Sequence, residues 1–103
     1  MPTAVIYPAS EYCQIISTQT IAYTGVSSST QITVATVIPR RFLLLATTDC
    51  HIIQSNGANT ATATDFLLLA NTYLVITTIG TTFLGIIRDT TNGTLYVTRT
   101  TPL

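Results

Sequence analysis

The chain has very little charge. It contains four arginines, four acidic residues and no lysine, so charged residues make up 8% of its 103 positions, against about 25% in a typical globular domain. A protein that works as a free monomer normally carries a charged surface. Here the exposed surface must consist mainly of hydroxyl, amide and apolar groups. Because interface cores are depleted of charge, this composition favours a permanent assembly over a lone monomer.

The shortage of charge also excludes several classes of function. Four arginines balanced by four acidic residues give no basic surface for nucleic acid. The absence of lysine removes Schiff-base chemistry and the lysine of phosphate-binding loops. No run of about 18 apolar residues is present, so no membrane span is predicted. The first residues lack the basic and apolar regions of a signal peptide, and none is predicted.

Residues that commonly carry chemistry are scarce as well. His51 is the only histidine and Cys13 and Cys50 are the only cysteines, a set with no recognised metal-site spacing. We predict two buried thiols and no cofactor. In a strand Asp49 and His51 would share one face, and Cys50 would point to the other, which excludes a Cys50–His51 nucleophile–base pair. The sequence therefore predicts that the protein is not an enzyme.

The chain is rich in threonine and in other β-forming residues. Apolar or alternating stretches are separated by turn signals about every ten residues, and no helical period is present. The predicted strands cover residues 11–23 (one or two strands), 31–38, 42–47, 48–54, 65–70, 73–76, 83–88 and 94–99. This pattern predicts an all-β fold, an antiparallel β-sandwich or jelly roll of about eight short strands. We expect residues 11–103 to form one such domain.

Several local features bear on strand pairing. The continuous apolar run that begins at Phe42 predicts a strand covered on both faces, and Gly85 suggests a bulge. A two-residue hairpin at Asn92-Gly93 would put Arg88 beside Val97, so that a charged and an apolar side chain would share one face of the sheet. We therefore expect either a shifted register or a sheet partly covered on both sides. By composition, the stretch that follows Tyr23 predicts a loop over residues 25–30.

The first ten residues differ from the rest. Pro2 and Pro8 flank an apolar run, Ala4 to Tyr7, and prolines so placed oppose a helix. Residues 1–10 are expected to form an extended N-terminal arm or a first edge strand. The adjacent Arg40 and Arg41 form either a solvated turn or a contact to an acidic partner. The candidate interface residues are Val5, Ile6, Tyr7, Tyr12, Arg40 and Arg41.

The order of segments from Thr20 to Val97 resembles that of small virion proteins of tailed bacteriophages. The resemblance is carried by IAYTG at 21–25 before a serine-rich loop, and by ATTDCHI at 46–52, GANTAT at 57–62, LLANT at 68–72 and GTLYVT at 93–98. It implies a β-sandwich and a structural role of the capsid decoration, or cement, type. The charged residues usual in the last third of such proteins are mostly replaced here by Thr, Leu and Ile.

The resemblance also implies partners. A cement protein binds the outer surface of a phage head and bridges subunits of the major capsid protein, and we expect copies of this chain to associate as dimers or trimers. Its place would be the virion, assembled in the bacterial cytoplasm. Two alternatives stay open: a head–tail joining or tail-associated protein, and a glycan-binding module displayed on the virion. For the latter, tyrosines would form the sugar platform: Tyr7, Tyr12, Tyr23, Tyr73 and Tyr96.

Overall fold

The structure, a computed structural model, describes residues 14–33 and 39–100. These residues form eight strands: β1 (Ile15–Tyr23), β2 (Ser28–Thr33), β3 (Arg40–Ala46), β4 (Cys50–Ser55), β5 (Phe66–Leu68), β6 (Tyr73–Thr78), β7 (Thr82–Arg88) and β8 (Gly93–Thr100). The described residues include no helix that could cross a membrane. The predicted N-terminal arm, with Val5, Ile6 and Tyr7, lies outside the described residues, as do Tyr12 and Cys13.

The strands form two four-stranded antiparallel sheets. Sheet A has the order β1-β8-β3-β6, and sheet B has the order β2-β7-β4-β5. This is the strand order of a jelly roll. Among the described strands, only β4 and β5 are consecutive in sequence and also paired in one sheet. All other consecutive strands lie in different sheets, and the connection from β2 to β3 includes residues 34–38. The predicted all-β antiparallel sandwich is confirmed.

The core lies between the inner faces of the two sheets. Along β3, Phe42, Leu44 and Ala46 are buried, whereas Leu43 and Leu45 are half-buried, as expected when alternate side chains point to opposite faces. Fully burying one large aliphatic side chain contributes about 1.5–3 kcal/mol. The buried cluster contains Ile21, Tyr23, Phe42, Leu44, Ala46, Cys50, Ile52, Leu68, Leu84, Ile86, Leu95 and Val97.

The Asn92-Gly93 turn does not form a hairpin. The strands on either side of it belong to different sheets, so Arg88 and Val97 do not face each other and the predicted conflict of charge with core disappears. A Cβ at position 93 would overlap the hydroxyl of Tyr23. That hydroxyl accepts the backbone N–H of Thr48 at 3.0 Å and donates to the Thr48 carbonyl at 2.7 Å. Glycine is therefore needed here for a close approach.

Three further expectations were wrong. The predicted loop 25–30 ends early, because β2 begins at Ser28 and pairs with β7 despite its serines. Gly85 forms no bulge, because β4 and β7 pair without a register shift on either side of the Ile53–Gly85 pair. Arg40 and Arg41 do not form a turn but begin β3. In each case tertiary pairing outweighs the local preference of the residues.

Candidate protein interface

The outer face of sheet B is covered by the chain itself. Residues 56–65, here called the covering loop, connect β4 to β5 and lie across that face. The backbone N–H of Asn59 donates to Ser29 Oγ at 3.1 Å, and that of Ala61 donates to Ser27 Oγ at 2.8 Å. Ala61 is buried. Serine hydroxyls in and next to the edge strand β2 thus satisfy the backbone of the loop.

Asn59 fixes the middle of the covering loop. Its Nδ2 donates to Ser55 Oγ at 2.7 Å and lies 3.3–3.4 Å from the carbonyl oxygens of Phe83 and Ile53. The carboxamide lies directly over Gly85, where a Cβ would overlap it. The glycine therefore makes room for the asparagine, which explains why a strand interior carries a residue that strands disfavour.

His51 joins three segments on the same face. Its Nδ1 lies 3.0 Å from the carbonyl oxygen of Asp65, and its Nε2 lies 2.8 Å from Asp89 Oδ1. A carbonyl and a carboxylate only accept hydrogen bonds, so both ring nitrogens must carry hydrogens to make both bonds. The bond to the Asp65 carbonyl, then that to Asp89, raises the pKa of His51 above its ordinary value, against the opposing effect of burial.

The histidine does not pair with Asp49, the residue that shares its strand face in the sequence pattern. Asp49 Oδ1 instead accepts the backbone N–H of Ala70 at 2.7 Å. Cys50 points into the core as a free thiol, and burial raises its pKa to about 11, which makes it a poor nucleophile. The predicted separation of Cys50 from His51 is confirmed. Among the described residues, no three His, Cys, Asp or Glu side chains converge where a metal ion could bind.

The outer face of sheet A is different, because it carries an apolar patch. In the register of the sheet, Tyr96, Leu45 and Tyr73 lie side by side on β8, β3 and β6. Leu43 and Val75 lie side by side in the next row. We call these five side chains the apolar patch. Tyr73 is 66% exposed and Tyr96 is 39% exposed, although an antiparallel sheet normally presents polar residues to water.

Uncharged threonines surround the apolar patch. Thr20 lies beside Tyr96, and Thr98 lies between Thr18 and Leu43. The hydroxyls of Thr18 and Thr98 are 3.1 Å apart and bond to each other. A threonine pair that bonds to itself loses little when water leaves the surface. This part of the face can therefore be desolvated at low cost.

Three arginines lie at one end of sheet A and define its arginine end. Arg41 and Phe42 pair with Thr100 and Arg99 on β8, and Arg40 precedes them. Among residues 14–33 and 39–100, none of the three guanidinium groups has a hydrogen-bond or ion-pair partner, and Nη1 of Arg41 and Nε of Arg99 are buried. An unsatisfied buried donor costs about 1–3 kcal/mol. These donors suit a partner that brings carboxylates or carbonyls.

The sequence predicted two residues of this candidate surface. Arg40 and Arg41 were predicted interface residues, and the structure brings Arg99 next to them. Arg99 was missed because only the pairing of β3 with β8 reveals it. The apolar patch was missed because the run from Phe42 predicts a strand covered on both faces. Leu43 and Leu45 on the second face are half-buried, and full cover of that face stays a prediction.

Comparisons with protein-family models, with curated proteins and with solved structures found no match. The resemblance to phage virion proteins stays a prediction from the sequence.

Proposed function

We propose that the protein is a non-enzymatic structural component of a tailed-phage virion, of the capsid decoration type. It binds the outer surface of the head and bridges neighbouring subunits of the major capsid protein. The virion assignment rests on the sequence resemblance between Thr20 and Val97. The docking role rests on the geometry of sheet A.

The observation that carries the docking role is the apolar patch. Tyrosine side chains are enriched at the centres of protein interfaces, where they combine a large apolar area with a polar end. Tyr73 and Tyr96 flank Leu45 on a rigid sheet in which neighbouring strands lie about 4.8 Å apart. Such a surface is preorganised, so a partner that covers it loses little conformational entropy.

The arginine end supports a partner of complementary charge. Arg41 lies on the same outer face as Leu43, two residues along β3, so a molecule that covers the apolar patch also reaches this guanidinium. Arginine bonds carboxylates in a bidentate, charge-assisted geometry. We expect acidic side chains of the capsid protein opposite Arg40, Arg41 and Arg99.

Many copies bound over the head would together make the attachment strong. Each copy adds a modest buried area, and contacts to more than one capsid subunit multiply through avidity. The added area opposes separation of subunits under internal DNA pressure. In the N-terminal arm, Val5, Ile6, Tyr7 and Tyr12 stay predicted contacts.

The proposal is tested by sedimenting the purified chain with heads of the encoding phage that were assembled without it. The wild-type chain is expected to saturate the heads, and the Y73T/Y96T variant is expected to bind at least tenfold more weakly. V26T is the matched control, because Val26 is 76% exposed in the loop between β1 and β2. Absence of wild-type binding, or equal binding by Y73T/Y96T, would overturn the proposal.

The head–tail joining alternative differs in where the protein lies on the particle. A cement protein is distributed over the head, whereas a joining protein forms one ring at the tail vertex. Electron microscopy of the saturated particle, with the added density located, separates the two.

One observation favours the glycan-binding alternative. Two exposed tyrosine rings, Tyr73 and Tyr96, lie in one row on a flat face, and aromatic rings of this kind can stack on sugar rings. Glycan-array binding that Y73T/Y96T abolishes, together with no binding to heads, would replace the capsid proposal with this one.

A further inference from the structure

An apolar cleft opens between the two sheets at one side of the sandwich. Its volume is about 160 Å³. β5 and β6 are the edge strands on this side, each with one hydrogen-bonded neighbour. The cleft is lined by Ile52, Ile53, Gln54, Phe66, Leu74, Ile76 and Leu84.

The cleft has the size and chemistry of a side-chain pocket. Phe66 pairs with Ile52, and is still 56% exposed at the mouth of the cleft. A cavity of about 150 Å³ lined by leucine, isoleucine and phenylalanine stays dry and accepts a benzene-sized group. One aliphatic or aromatic side chain therefore has the size and chemistry to fill this cleft.

The open edge beside the cleft limits what can bring that side chain. A peptide strand can add to an exposed sheet edge by main-chain hydrogen bonds, with alternate side chains entering a pocket. The chain contains a suitable segment in residues 4–7, which are apolar and lie between Pro2 and Pro8. Proline within sheets is confined largely to edge strands, so both flanking prolines suit a strand added at an edge.

We propose that residues 4–7 of one copy add as a strand beside β6 of a second copy and place an apolar side chain in its cleft. The described chain begins next to β1, and β1 and β6 are opposite edges of sheet A. A segment that leaves one copy beside β1 and enters the cleft beside β6 of a second copy makes a head-to-tail contact.

The contact has a consequence for assembly. A head-to-tail contact that closes on itself gives a ring, such as a trimer, and buries the exposed Phe66 in each copy. It joins copies of this chain to one another, so it does not depend on the capsid as the partner of sheet A. The two surfaces can then act together: the cleft links copies, and the apolar patch faces another protein.

The test is disulfide trapping between full-length variants in a C13S background. I6C and F66C are mixed and oxidised at pH 8, where the buried thiol of Cys50, with its pKa raised to about 11, stays unreactive. The expected result is a covalent I6C–F66C heterodimer that forms at least tenfold faster than one between I6C and Y73C. Tyr73 is the matched control, because it is exposed on the opposite face of β6.

The double variant I6C/F66C identifies the donor of the segment. Interchain disulfides, seen as dimers or closed rings on a non-reducing gel, support the proposal. An intrachain disulfide in a monomer would overturn it in favour of the chain's own segment. Equal rates for F66C and Y73C would overturn it as well, because the cleft would then have no preferred occupant. I6D adds an independent measurement and is expected to lower the average mass in sedimentation.

Discussion

The outer faces of the two sheets differ in whether described residues of the chain cover them. Sheet B carries the covering loop, whose backbone bonds to Ser27 and Ser29 and whose Asn59 lies over Gly85. Sheet A carries the apolar patch, which no described residue covers. Among residues 14–33 and 39–100, the chain thus covers the outer face of sheet B and leaves the outer face of sheet A apolar. On the proposal above, another molecule covers this face of sheet A.

The ionic groups divide in the same way. The described aspartates are satisfied within the chain, by the backbone of Ala70 and Thr62 and by His51. The arginine end of sheet A has no such partners among the described residues. On the proposal above, the acceptors for these three guanidinium groups are carboxylates of a partner. Arg41, which lies on the outer face two residues from Leu43, therefore suits the same proposed partner surface as the apolar patch.

The largest expected effect comes from filling the space under the covering loop. Gly85→Val would push a side chain into the Asn59 carboxamide and Ile53, and is expected to lower the free energy of unfolding by about 3 kcal/mol through overpacking and lost hydrogen bonds. Urea denaturation measures the change. Gly57→Ala is the control, since a Cβ there meets nothing within 4 Å, and a change beyond about 0.5 kcal/mol would be unexpected. Equal stability of Gly85→Val and wild type would mean that the loop does not pack on this face.

The His51 network makes the stability of the sheet B side depend on pH. The folded-state pKa of His51 is raised, so its stabilisation is fully present below the unfolded value of about 6.5 and is lost as the pH rises through the folded value. His51→Phe removes two partly buried hydrogen bonds and is expected to cost about 1–2 kcal/mol at pH 6. The difference between wild type and variant should shrink at alkaline pH, as followed by denaturation from pH 5 to 9. A constant difference would contradict a charged histidine.

Substitutions at the arginine end should preserve or raise the stability of the isolated chain but weaken its binding to the partner. Arg41→Met and Arg99→Met each remove a buried donor without an acceptor, so the free energy of unfolding of the isolated chain should stay level or rise by about 1 kcal/mol. Affinity for the partner should fall at least tenfold. Arg88→Met is the control, because Arg88 Nη1 donates to Asn92 Oδ1 at 2.6 Å, and its loss should lower stability slightly and leave binding unchanged. Destabilisation by Arg41→Met would show that its acceptor lies within the chain.

The smallest expected effect on stability belongs to the apolar patch. Tyr73→Thr and Val75→Thr lie on the edge strand β6 and keep residues that favour strands, so unfolding free energies should change by less than about 0.5 kcal/mol. A loss above about 2 kcal/mol would place these side chains in the chain's own core, where such losses arise. Thermal denaturation of each variant beside wild type decides between the two.

The sequence predicted the strands better than their partners. The eight stretches of apolar or alternating residues match eight strands within a few residues, because burial of one face imposes a period of two on each strand. Neither the division into sheets nor the role of Gly85 was predictable. Both depend on contacts between residues far apart in the chain, such as Asn59 with Gly85 and His51 with Asp89. Propensity and turn signals report only on neighbours.

The candidate interface was only partly predictable from the sequence for a related reason. Arg40 and Arg41 were noticeable as adjacent charges in a chain with few of them, whereas Arg99 joins them only through strand pairing. The run from Phe42 to Leu45 was predicted to be covered on both faces. A sequence does not distinguish a face covered by its own chain from one covered by a partner, because both require apolar side chains.

Hydroxyl-radical labelling of the tyrosines tests the central claim most directly. Tyr73 and Tyr96 are exposed on the outer face of sheet A, and Tyr23 is buried and serves as the internal reference. We predict that both exposed rings are labelled in the purified chain and are at least tenfold less labelled in the assembled particle, with Tyr23 unlabelled throughout. Unchanged labelling of Tyr73 and Tyr96 on assembly would contradict the account, because the apolar patch would then face water in the particle too.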